Sequence, residues 1–147
     1  MSVEDVWLRS LTSSGVGLLV AEGDVDFRNV SFIGCLTIQG KGGAIAIQRG
    51  GAVLESVRLT GCNSTMKSGG GLYAFVPSSA LQLHNVEVSD CFANVEGGGM
   101  LLNQVAANIS GAGSFVTRNR ARERGGGVAT LHSSFSNGAV FSSLTGE

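Results

Sequence analysis

The chain has 147 residues, 43% of them apolar and 14% charged, with a formal net charge of −1. That length fits one domain with enough apolar content to bury a core, and the near-neutral balance excludes the broad basic surface of a nucleic-acid binder. Twenty-three glycines beside a single proline disfavour helices, because glycine weakens helix interiors while permitting left-handed turns.

In chain order, the first segment, Val3 to Ser14, carries Trp7, Leu8 and Leu11. Residues 1–14 are read as an N-terminal lead-in or cap over one end of the repeats. From residue 15 the chain repeats. GVGLLV (15–20), GGAIAI (42–47), GGGLYAF (69–75), GGGMLLN (97–103) and GGGVATL (125–131) bring Leu18, Ile45, Leu72, Met100 and Val128 into phase at spacings of 27, 27, 28 and 28. A second series runs in the same phase: VSFIGC (30–35), VRLTGC (57–62), VEVSDC (86–91) and SFVTRN (114–119). Each places an apolar residue three before a Cys or Asn: Phe32 and Cys35, Leu59 and Cys62, Val88 and Cys91, Val116 and Asn119.

Inside each unit the apolar residues alternate, as in Ile45/Ile47, Leu81/Leu83 and Val86/Val88, which is the period of strands. A unit of 27 to 28 residues holds about three short strands and leaves no room for a crossover helix. The fold class is therefore all-β, a parallel β-helix of about five coils starting near 15, 42, 69, 97 and 125, over residues 15–147. Leu18, Ile45, Leu72, Met100 and Val128 are expected to form one interior column, and Cys35, Cys62, Cys91 and Asn119 a ladder at one corner. The C-terminal stretch from Phe141 to Glu147 offers no amphipathic cap, so the chain reads as part of a longer solenoid or as one that associates end to end or side by side.

The Gly42-Gly43-Ala44-Ile45 motif, preceded about ten residues earlier by the Phe-x-x-Asn position, resembles the repeat of the polymorphic outer-membrane protein family. The match covers residues 15 to 131, with Gly71, Gly99 and Gly127 replacing the alanine and Cys35, Cys62 and Cys91 replacing the asparagine. The resemblance implies a right-handed parallel β-helix carried on a cell surface, within the wider pectate-lyase-like superfamily.

Residues with chemical potential are few. The glycines of RERGGGVATL (122–131) precede strands and are not followed by the Lys and Ser/Thr of a phosphate-binding loop. Three cysteines at one corner read as small buried thiols; they lack a fourth ligand and the Cys-x-x-Cys spacing of zinc sites, so no metal and no cofactor is expected. His84 and His132 fall in unrelated phases of the repeat. Asp24 and Asp26 point the same way, yet the next coils supply no acidic continuation for a paired-carboxylate site. Across coils Arg58 aligns with Glu87, Asp90 with Arg118, and Glu96 with Arg124, which reads as ion pairing. The run RNRARER (118–124) lines up Arg118, Arg120, Arg122 and Arg124, which with the outward Tyr73 and Phe75 is the candidate polysaccharide-binding set. Tyr73, Phe75, Leu101 and Leu131 make the outer side of the glycine-led strands unusually apolar, as a covered face would be. Asn29, Asn63 and Asn108 each begin an Asn-x-Ser/Thr acceptor sequence.

The expected function is a non-catalytic surface or secreted scaffold for adhesion or display, with a polysaccharide or cell-surface glycan as partner. The alternative is a carbohydrate-active β-helix, lyase-like or a binding module. No apolar run is long enough to cross a bilayer, and Met1 to Asp5 lacks the start of a signal peptide, so the extracellular location expected here depends on an export signal outside this sequence.

Overall fold

The computed structural model describes residues 2–10, 12–13, 19–22, 24–75, 80–131, 133–137, 140–142 and 145–146. They form a parallel β-solenoid. Four sheets run along its axis: three of six strands and one of five, each strand pairing with its counterpart one coil away. Sheet A stacks Ser2–Glu4, Val25–Arg28, Ala52–Glu55, Ala80–His84, Ala106–Ser110 and Ser134–Asn137. Sheet B begins with Trp7–Arg9 and Ser31–Ile33, sheet C with Thr12–Ser13 and Leu36–Thr37, and sheet D with Leu19–Glu22 and Ile45–Arg49. The coil count differs slightly from five, and each coil has four strands where three were expected.

The extra strand has a local cause. Within the run VSFIGCLT, Gly34 sits at φ 64° and separates two strands, Ser31–Ile33 and Leu36–Thr37. The same left-handed corner recurs at Ser10, Gly61, Asp90 and Arg118, and the preceding corner at Asp5, Asn29, Ser56 and Asn85. Side chains in that region cost roughly 1–2 kcal/mol each, least for Asn and Asp. Because most of these corners lack glycine, the sequence hides them.

Ser2–Glu4, Trp7–Arg9 and Thr12–Ser13 pair in parallel with Asp26–Arg28, Ser31–Ile33 and Leu36–Thr37, continuing sheets A, B and C.

The core is a set of vertical columns. Ile45 pairs with Leu72, Leu72 with Met100, and Met100 with Val128; the first three are fully buried. Leu18 lies outside the described residues, and the partner of Ile45 on the other side is Leu19. Phe32, Leu59, Val88 and Val116 form a second column, and Phe27, Leu54, Leu83 and Ile109 a third, every member at most 1% exposed. Each large side chain so buried contributes roughly 1.5–3 kcal/mol, and only neighbouring coils can cover it.

The corner between sheets C and D explains the glycines. Gly42 is left-handed at φ 78°, and a Cβ on Gly43 would collide with the Gly70 carbonyl of the next coil. Gly70 and Gly98 meet the same obstacle one and two coils on. Coils thus pack backbone to backbone here, and the inward residues of sheet C stay small: Thr37, Ser64, Ala93 and Ala121. The two buried hydroxyls are satisfied locally, Thr37 Oγ1 donating to the Gly42 carbonyl at 2.9 Å and Ser64 Oγ to the Gly40 carbonyl at 2.8 Å.

Candidate functional site

The ladder at the corner between sheets B and C is internal. Cys35, Cys62, Cys91 and Asn119 are all at most 1% exposed, and the three cysteines are free thiols. Asn119 accepts from the Cys91 backbone N–H at 2.9 Å and donates to the Val88 carbonyl at 2.7 Å. The thiols repeat the donor half of that pattern, Cys62 Sγ to the Phe32 carbonyl at 3.5 Å and Cys91 Sγ to the Leu59 carbonyl at 3.6 Å. Cys thus substitutes for Asn as a weak donor that suits an apolar setting. For Cys62, the hydrogen bond with Cys35 lowers the thiol pKa, while that with Cys91 and burial outweigh it and push it up to about 12. A thiol held protonated is a poor nucleophile and a poor metal ligand. Among the described residues no group of three His, Cys, Asp or Glu side chains converges on one point.

The outer surface of the ladder is charged and paired. Arg58 Nε meets Glu87 Oε2 at 2.8 Å, Arg118 bonds both Asp90 oxygens at 2.7 Å, and Arg124 pairs with Glu96. Arg28, which the sequence did not single out, bridges Asp26 on its own strand and Glu55 on the next, at 2.9 and 3.0 Å. The two-pronged bond from Arg118 holds the Asp90 carboxyl below the usual carboxylate range.

The arginine run keeps its alternation through Arg122. Arg118, Arg120 and Arg122 are exposed, with Asn119 and Ala121 buried between them. Beyond that Glu123 and Arg124 are both exposed at the turn into sheet D. Arg118 and Arg124 are thus tied to carboxylates, and Arg120 and Arg122 form the outward pair at sheet C.

On sheet A one outward column is Asp26, Val53, Gln82 and Asn108, and the other is Glu4, Arg28, Glu55, His84 and Ser110. Asn108 bonds Gln82 at 3.4 Å, and His84 Nδ1 lies 3.2 Å from Ser110 Oγ. Of the three acceptor asparagines, Asn29 and Asn108 are exposed and Asn63 is half-buried. His132 lies outside the described residues.

Tyr73 and Phe75 are elsewhere, on the outer face of sheet D. There Ala46, Tyr73 and Leu101 form a second apolar cluster, joined by Phe75, Ala129 and Leu131 and separate from the core. Tyr73 is only 7% exposed, and Lys41 Nζ lies over its ring, 4.8 Å from the centroid. A groove of about 340 Å³ opens beside them, lined by Gln39, Lys41, Gln48, Lys67, Tyr73 and Phe75. Sequence reasoning found the two aromatics and missed the four polar partners. Lys41 and Lys67 come from the turns of successive coils and share no repeat position, so only the winding brings them together.

No family model, no curated protein and no solved structure matches this chain. Among the described residues no helix is long and apolar enough to cross a membrane.

Proposed function

We propose that the chain is a non-catalytic β-solenoid scaffold for adhesion or display, acting at a cell surface or after secretion. The observation that carries this reading is the cross-coil pairing of the outward charges. Arg28 with Glu55, Arg58 with Glu87, Asp90 with Arg118 and Glu96 with Arg124 each join one coil to the next. Such charges stabilise the stack instead of standing ready for proton transfer or metal binding. The likeness of the glycine-led repeat to the polymorphic outer-membrane protein family supports the same reading, since those β-helices stand on cell surfaces. The pectate-lyase-like alternative, with turnover of a polysaccharide, has less support: the outer face of sheet A carries Asp26 and Glu55 on successive strands, but both are tied to Arg28 in ion pairs, where a general acid and base would need to be available for proton transfer. A reading as a polysaccharide-binding module is compatible with the scaffold, and the groove beside Tyr73 favours it.

Incubating the full chain with pectin, alginate, glycosaminoglycan and xylan, and following new reducing ends and unsaturated products, tests the proposal. No product above the buffer control is expected, while particles coated with the chain adhere to a glycan-bearing surface. Product that grows with protein concentration would refute the scaffold reading.

A further inference from the structure

We propose that the groove beside sheet D binds an anionic sugar unit of a polysaccharide, its carboxylate or sulfate held between Lys41 and Lys67 and its ring set against Phe75. The inference names what the non-catalytic scaffold holds, and so rests on that reading.

Three features of the groove point to this ligand. First, its charge is of one sign. Two ammonium groups line one depression, and neither has a carboxylate partner among the described residues, whereas Arg28, Arg58, Arg118 and Arg124 all do. An anion placed between the lysines relieves a repulsion that the chain itself leaves standing. Second, the cation is held in place. Lys41 rests on the Tyr73 ring at 4.8 Å from its centroid, so a long flexible side chain is partly ordered before any ligand arrives. Third, the remaining wall suits a sugar more than a bare anion. Gln39 and Gln48 each offer amide donors and an acceptor for hydroxyls. Phe75, half-buried in the outer cluster, offers an apolar surface for the C–H face of a pyranose ring. A volume of about 340 Å³ lies at the small end of ligand sites, which suits one or two sugar units of a longer chain.

The test is a titration of the full chain by calorimetry with oligogalacturonate, with heparin oligosaccharide and with neutral dextran, at low and at high salt. Binding is expected for at least one of the two anionic ligands, weakening as salt rises, with none for dextran; which of the two binds distinguishes carboxylate from sulfate. Lys41→Met with Lys67→Met keeps the aliphatic stems and removes the charges. That variant should keep its circular dichroism and melting temperature and bind at least tenfold more weakly, and Phe75→Ala should bind several-fold more weakly. Equal binding by the double Met variant, equal binding of dextran, or no binding of either anionic ligand would overturn the proposal. So would loss of binding in Arg120→Ala/Arg122→Ala with the lysines intact, which moves the site to sheet C. Polysaccharide turnover measured on the same samples would sink the non-catalytic reading while leaving the groove's affinity as found, so the two failures are distinguishable.

Discussion

Sheets A and D are made of strands of similar length, yet they read differently. Ala80–His84 on sheet A alternates strictly between exposed and buried, and so does Ala106–Asn108. Ile45, Ala46 and Ile47 on sheet D are all buried, as are Leu72, Tyr73 and Ala74, and Met100, Leu101 and Leu102. A strand with one face in water keeps period 2; a strand with both faces covered loses it. Sheet D carries core on the inside and a second apolar cluster on the outside, and the groove lies against that second cluster.

The largest effect should come from the glycine corner that leads into sheet D. Gly70→Ala places a Cβ against the Gly98 and Phe92 carbonyls, where only backbone can move, and is expected to cost several kcal/mol or prevent folding, read by denaturant titration. Gly34→Ala, at a left-handed corner with nothing closer than 3.8 Å to the new Cβ, should cost only about 1–2 kcal/mol.

Next come the faces themselves. Leu83→Ala, inside sheet A and fully buried, should destabilise by about 2–5 kcal/mol. Leu101→Ala, on the outer face of sheet D but only 2% exposed, should cost about 2 kcal/mol, and Val53→Ala, on the outer face of sheet A at 39% exposure, less than about 0.5. If Leu101 behaves like Val53, the second cluster is not a packed layer and the contrast between the two sheets fails.

The thiol ladder adds a pH effect. Cys62 keeps its proton in the fold until about pH 12, while the ordinary thiol loses it near 9.0. The folded state therefore binds more protons than the unfolded one between those values, so this stability is whole below pH 9 and is lost as pH rises from 9 toward 12. Melting temperature should fall across that window, and Cys62→Ala should flatten the fall relative to the parent. The smallest effect is at the surface. Arg118→Ala should return the Asp90 carboxyl to the ordinary carboxylate range in an NMR titration while barely moving the melting temperature.

Much of the fold was legible in the sequence because the residues that repeat are those the geometry forces. Gly43, Gly70 and Gly98 recur since backbone packs on backbone there, and Cys35, Cys62 and Cys91 since one buried corner accepts a small weak donor in every coil. What escaped lacks such a landmark. Ser2–Glu4, Trp7–Arg9 and Thr12–Ser13 pair with the sheets, with Asp5 and Ser10 at the corners in place of Asn29 and Gly34, so their turns leave no glycine to align. The fourth strand was hidden in the same way by Asp90 and Arg118. The alignment that stacks Arg58 on Glu87 and Asp90 on Arg118 was readable, because a repeat fixes which residues become neighbours one coil apart. The groove was not, because Lys41, Gln48 and Lys67 fall at different repeat positions and meet only around a corner.

Columns, corners and groove all rest on the register: a chain that returns to the same place every coil, with Leu72 between Ile45 and Met100 on sheet D. Solution NMR reads that register through backbone NOEs at this position. Parallel-strand NOEs are expected from Leu72 to both neighbours, 27 residues earlier and 28 later. Cross-peaks in an antiparallel pattern, or to residues within the same repeat, would contradict it.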